Sequence, residues 1–376
     1  MTGLMMTSIP EKGITHMTLQ PKLRVAMVGV GGFGWYRRER MRETGLFELV
    51  AAYDINPKAL AAAEEADGAK PVGSYEELLD TPGIEAMIIS TGGKFHAEQA
   101  LQAMDRGLHV FVEKPLCSTT DEALALLAKQ RETGLVVGLG HNDHSSDPRL
   151  NYLKQFIAGG EMGNLATFEF VTAHSGGLEI RPGDWRGDPE KNPGGMLFQC
   201  GVHALHELMY LFGPVARVTS MMRYDVHTTL TADVAHCILQ FENGLIGTLS
   251  AYHVTPYRHT LHLYGTKKSI FMDARAPSYG DAATCFIQER KNCEAEPLIP
   301  FELAPGTKDN DAAGHSHDTC GNVKSFYHAV RNGGEPYPSL KDGARAVMVV
   351  FAAEESAKTG RTVDVPSVEG LEITAG

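Results

Sequence analysis

The segment GVGGFG sets Gly29, Gly31 and Gly34 at the spacing of a dinucleotide-binding turn. In such a turn Gly29 permits the tight bend, Gly31 lets the backbone approach a pyrophosphate, and Gly34 lets the next helix pack on its strand. The helix N-terminus then offers unpaired N–H groups and positive dipole to the phosphates. Glycine is common, so the pattern gains weight from its context. Asp54 stands about 20 residues beyond Gly34, where an acidic side chain meets a ribose 2′-hydroxyl and repels the extra phosphate of NADP. The chain continues DINPK with no arginine directly after Asp54, so NAD is favoured over NADP, with Lys58 as the nearby cation.

A second set of reactive side chains lies within residues 196–212. Gln199, His203, His206, Glu207 and Tyr210 recur at spacings of three and four and so share one face of a helix. Such a stripe either faces water or walls a polar pocket. An imidazole with an ordinary pKa near 6.5 suits proton transfer. His203, His206 and Glu207 also raise the question of a metal, but the spacing is not HExxH and no third ligand is evident, so no metal is expected. In the loop RPGDWRGDP, Trp185 offers an apolar platform and Arg186 a donor to hydroxyls or a carboxylate, the alternative being a loop anchor. HSH at residues 315–317 reads as solvated loop.

These residues need elements to hold them. Residues 23–30 form an apolar run ending in glycine, and residues 33–44 carry helix formers. Strand-like runs at 47–53, 86–90, 109–113 and 135–140 then alternate with helical stretches at 57–66, 75–79, 96–106 and 120–133. Alternation of this kind means a doubly wound parallel sheet. The pattern changes near His141. Helices at 148–158 and 196–212, strands at 166–172, 216–223, 234–241, 245–252, 259–264 and 269–273, and closing helices at 322–332 and 341–358 describe an α+β unit with an open, largely antiparallel sheet. The expected fold class is α/β with three parts: a flexible tail at 1–22, a Rossmann domain at 23–140, and a substrate-binding and oligomerisation domain at 141–376.

Composition narrows the partners. A chain of 376 residues with 43% apolar and 21% charged residues has material for two cores, and no run approaches a membrane helix. A formal charge of −12 gives no general attraction for nucleic acid or anionic lipid, which favours small-molecule partners. The six cysteines form no CxxC pair, and the first 22 residues lack both a cationic and an apolar signal region. Reduced thiols in a cytoplasmic protein are expected, with Met17 as a second candidate start.

The run HVFVEKP at 109–115 resembles the EKP signature of the glucose-fructose oxidoreductase and inositol dehydrogenase (Gfo/Idh/MocA) family. STGGKFHA at 90–97 resembles that family's loop beside the nicotinamide, with Gly92 and Gly93 in place of the usual Pro and Asn. GGMLFQCGVHALHELMYLFG at 194–213 is similar to its substrate-domain helix, and residues 326–365 follow its closing pattern. The resemblance implies a nicotinamide at the carboxyl ends of the parallel strands, facing the open sheet. It implies cofactor contacts from Gly29, Gly31, Gly32, Phe33, Gly34, Asp54, Ile55, Ser90, Thr91, Gly92, His96, Glu113 and Lys114. By position, Lys114 would bond the reacting hydroxyl and His203 would take its proton, while His144, Trp185, Arg186 and Gln199 would complete the substrate pocket. The substrate would be a sugar, glycoside or cyclitol, and the assembly a homodimer or homotetramer. The alternatives on the same fold are a glycoside-cleaving enzyme that uses tightly bound NAD transiently, and a non-catalytic sugar sensor. Departures from the family pattern are Gln199 and His206, where the family commonly carries Asp, and His144, near a common Arg.

Overall fold

The computed structural model describes residues 20–227, 229–274, 284–291, 296–303 and 320–368; most of the expected tail, Cys293 and the HSH segment lie outside them. The first sheet contains β1 (Leu23–Val28), β2 (Phe47–Tyr53), β3 (Lys70–Pro71), β4 (Ala86–Ile89), β5 (His109–Val112) and β6 (Val137–Leu139). All run parallel in the order β3-β2-β1-β4-β5-β6. The order reverses between β1 and β4, and a crevice opens there at the carboxyl ends of the strands. Helices α1 (Phe33–Thr44), α2 (Pro57–Asp67), α3 (Tyr75–Leu79), α4 (His96–Asp105) and α5 (Thr120–Thr133) connect the strands. Helices on both faces account for strands that read as unbroken apolar runs, with β4 buried along its whole length. Side chains mark several of the helix starts: Asn56 caps α2, Ser74 caps α3, and Thr119 with Glu122 closes a capping box on α5.

The second sheet has nine strands: β7 (Leu165–Ala173), β8 (Val215–Arg223), β9 (Val234–Phe241), β10 (Ile246–Tyr252), β11 (Arg258–Gly265), β12 (Lys268–Ala274), β13 (Thr284–Glu289), β14 (Ile299–Pro300) and β15 (Val363–Asp364). Among the described residues its neighbours pair antiparallel except β7 with β10. One face buries Phe168, Phe170, Leu239, Leu249, Leu261 and Leu263 in the core that includes α7 (Val202–Phe212). Among the described residues the other face carries no helix, and Met221, Ile238 and Ile246 stand exposed on it. Helix α6 (Pro148–Ala158) precedes this sheet, and α9 (Leu340–Thr359) docks on β8, where Ser220 N–H donates to Ser356 Oγ at 2.9 Å.

Two features depart from the expected layout. Residues 196–212 do not form one regular helix: a π turn at Leu197–Gly201 leads into α7. A π turn widens the backbone locally and is common at functional sites. Helix α8 (Gly321–Asn332), from the far end of the chain, returns to the first sheet, where Val323, Phe326 and Tyr327 share a core with Leu23, Phe47 and Phe111. Gly138 makes that return possible, since a Cβ there would stand 2.9 Å from the Phe326 ring.

Candidate active site

Strand β1 ends at Gly29 with φ 79°, a left-handed conformation that favours glycine, and its N–H donates to Tyr53 O at 2.9 Å. A Cβ on Gly34 would fall 2.0 Å from Gly29 O, so the start of α1 tolerates no larger residue. Asp54 Oδ2 accepts from the N–H groups of Val30 and Gly31 at 2.8 and 3.0 Å, while Oδ1 accepts from Asn56 N–H at 2.8 Å. The carboxylate therefore braces the glycine turn itself, beside the edge where a ribose would lie. Phe33, Ile55 and Phe95, each following a different strand end, remain exposed and form an apolar rim. Bare glycine backbone, a helix N-terminus and an apolar rim are features that fit a dinucleotide.

The loop after β4 is held from beneath. His96 is 1% exposed, with Nδ1 2.8 Å from Pro115 O and Nε2 2.9 Å from Thr91 O. Burial holds this imidazole below its ordinary pKa, so the ring is neutral and serves one carbonyl at a time. It ties the Ser90–Thr91–Gly92 loop to the EKP turn from beneath. Glu113 is equally inaccessible: Arg37 Nε, from α1, donates to its Oε1 at 2.6 Å. Arg37 Nη1 also donates to Asn322 Oδ1 at 2.9 Å, and Asn322 Nδ2 donates to His141 O at 2.8 Å. One buried chain of bonds thus joins the glycine-loop helix, the EKP turn, α8 and His141.

Lys114 crosses to the second domain, where its Nζ donates to the backbone carbonyl of Gln199 at 3.1 Å, inside the π turn. His203 lies four residues further on, half-buried, with Nδ1 buried and without a partner. Burial, the Lys114 charge and the neighbouring His206, His144 and His259 hold His203 well below the ordinary imidazole range. It is neutral and ready to accept a proton, but weaker as a base than the expected 6.5. The Gln199 amide nitrogen is buried with no protein partner, a donor open to a substrate oxygen. Cys200 accepts from His174 Nε2 at 3.2 Å, and since His174 Nδ1 accepts from Gly176 N–H, the proton must sit on Nε2.

The remaining expected site residues are placed unequally. Trp185 and Arg186 stand together, the guanidinium 4.6 Å above the indole ring, and Asn192 Nδ2 donates to Arg186 O. His144 is buried against His206 and Tyr210, with ring centroids at 4.7 and 5.9 Å, and so stands behind the wall of the cleft. The polar stripe does not face water: His206 and Glu207 are buried, and Glu207 approaches His259 at 3.6 Å. Among the described residues no group of His, Cys, Asp and Glu converges to hold a metal ion.

Comparison with known proteins bears on this geometry. Residues 23–141 match the model of an oxidoreductase family with an NAD-binding Rossmann fold, and residues 150–271 match the GFO/IDH/MocA C-terminal domain. A 4-carboxy-2-hydroxymuconate-6-semialdehyde dehydrogenase of Sphingobium sp. (strain NBRC 103272 / SYK-6) is 30% identical over 61% of this chain and 71% of its own length. The chain belongs to the Gfo/Idh/MocA family of oxidoreductases. A scyllo-inositol 2-dehydrogenase (NAD(+)) of Bacillus subtilis (strain 168) is 26% identical over 92% of this chain and 97% of its own. A solved oxidoreductase structure from Desulfitobacterium hafniense superposes with a TM-score of 0.80 at 27% identity, covering 92% of this chain and 98% of that one.

Within this family site, the residues that sequence reasoning missed are the ones that act through others. Arg37 reads as an ordinary helix charge and Asn322 as a helix start, and no local spacing links them to Glu113. His141 carried a weak signal, a polar residue directly after the buried run of β6.

Proposed function

We propose that this enzyme oxidises a secondary hydroxyl of a sugar, glycoside or cyclitol with NAD+ as acceptor. The observation that carries the reading is the Lys114 bond into the π turn that leads to His203, which joins one group from each domain across a single cleft. Bound NAD+ supplies the hydride acceptor at the carboxyl ends of β1 and β4. Lys114 donates to the substrate hydroxyl and stabilises alkoxide charge as it develops. His203, held neutral, accepts the proton. The Gln199 amide orients a neighbouring hydroxyl, and the Trp185–Arg186 pair closes the far side. Gln199 cannot ionise, so the base acts without the carboxylate its family commonly supplies four residues earlier.

The scyllo-inositol 2-dehydrogenase, similar over 92% of this chain, supports a polyol substrate. Free thiols at Cys117, Cys200, Cys237 and Cys285 suit a reducing cytoplasm. The helix-free face of the second sheet, with Met221, Ile238 and Ile246 exposed, suits burial in a homodimer or homotetramer. The deciding experiment is a panel of pure sugars, glycosides and cyclitols scored for NADH absorbance. NADH formation on at least one polyol, abolished in Lys114→Ala, is expected. Sugar release without net NADH would overturn the reading in favour of glycoside cleavage.

A further inference from the structure

Behind the proposed base lies a feature that hydride transfer alone does not require. His141 packs edge-on against His203 with ring centroids 5.2 Å apart and lies 4.9 Å from the His206 ring. His206 in turn stacks on Tyr337 at 5.5 Å. His141 and His206 are 0% and 2% exposed, yet both ring nitrogens of each, and Nδ1 of His203, have no protein hydrogen-bond partner. Leaving so many buried polar atoms unpaired is costly, and native cores keep them for a reason such as catalysis, water or an ion. The nitrogens do not converge as metal ligands.

The other end of this row of rings reaches the wall of an outer pocket. His206 lines a pocket of about 240 Å³ together with Lys154, Tyr210, Tyr337, Asp342 and Arg345. The row therefore runs from the base, through His141 and His206, to a pocket of mixed polar and apolar lining with room for several waters. A single water bridges nitrogens too far apart for a direct bond, and each neutral imidazole accepts a proton at one nitrogen and releases one from the other.

We propose that His141 and His206 form a proton exit, carrying the proton taken by His203 to the outer pocket while substrate and cofactor still fill the cleft. The proposal rests on the dehydrogenase reading above. The substrate C–H gives its hydride to NAD+, the O–H proton passes to His203, and the same proton count leaves at the pocket; no further reactant is needed.

The test follows NADH absorbance and proton release, by an indicator dye, in the first turnover of enzyme preloaded with NAD+ and a polyol that the panel identifies. In the wild type the proton and NADH appear together. In His206→Phe, which keeps a ring against Tyr337, the proton lags NADH by roughly tenfold, and millimolar imidazole closes the gap. His141→Phe behaves alike, and NAD+ titration of each variant reports folding. A lag already present in the wild type, synchronous release in a folded variant, or a lag that imidazole leaves unchanged would each overturn the proposal. Absence of NADH in the wild type on every polyol would instead defeat the dehydrogenase reading.

Discussion

The cofactor end and the substrate end of the cleft are built by opposite rules. Around the glycine turn, polar groups are bonded within the chain: Asp54 uses both oxygens, Arg37 holds Glu113 Oε1 and Asn322, and His96 faces two carbonyls. Ser90 Oγ and Glu113 Oε2 are the exceptions, one after β4 and one after β5. At the substrate end, Gln199 Nε2, Nδ1 of His203 and both ring nitrogens of His141 and His206 lack protein partners. The first end is preorganised by the fold. The second keeps bonding capacity in reserve for substrate and protons, and it bears the cost of burying unpaired polar atoms.

That contrast predicts which substitutions harm chemistry and which harm folding. His203→Ala and Lys114→Ala are each expected to lower kcat by roughly 100 to 10,000 fold. Both should still bind NAD+, because the phosphates and ribose are held at the other end. Near-normal turnover in His203→Ala, measured on the panel's substrate, would mean that the base lies elsewhere.

Glu113→Ala tests the bonded end. It strands the buried Arg37 guanidinium, and the loss of one partner from a buried pair costs about 3–5 kcal/mol. Denaturant unfolding should show that loss, together with weakened NAD+ binding through displacement of α1. A variant as stable as the wild type would show that the two ends do not differ as described.

Acid should unfold the enzyme through the substrate end. Burial lowers His206 to about 3, against an ordinary value of 6.5. Its folded pKa is depressed, so the unfolded chain binds more protons below pH 6.5, and stability falls as pH drops through that window. The slope contributed by one such ring is about 1.4 kcal/mol per pH unit. His206→Phe should flatten the fall in Tm between pH 6.5 and 5, and an unaltered slope would count against a neutral buried ring. In turnover the same logic sets the acid limb of kcat/KM below pH 6.5, because His203 too is held low.

The smallest effect concerns cofactor choice. Asp54→Asn removes the charge that faces a 2′-phosphate while keeping an oxygen for the Val30 and Gly31 N–H groups. The NAD-to-NADP affinity ratio should fall by roughly tenfold. Titration of both cofactors checks this, and an unchanged ratio would shift attention to Lys58.

Much of this was legible in the residues alone. The alternation of apolar runs with helical stretches specifies the parallel sheet, because strands covered on both faces must be apolar throughout. Helices α3, α5 and α6 match their expected bounds, and β9 does as well. The two-residue β3 and β14 were missed, since so short a strand owes its pairing to neighbours rather than to its own pattern. So was β13.

Local sequence also determined the glycine turn and the EKP run, since both depend on spacings within one strand and one helix. Tertiary structure alone decided what surrounds them. Arg37 and Asn322 meet across 285 positions, His141 meets the polar stripe of α7, and the π turn presents a carbonyl to Lys114. A buried charge or an unpaired imidazole has no signature in its immediate neighbours, because its energy is set by groups that only folding brings within reach.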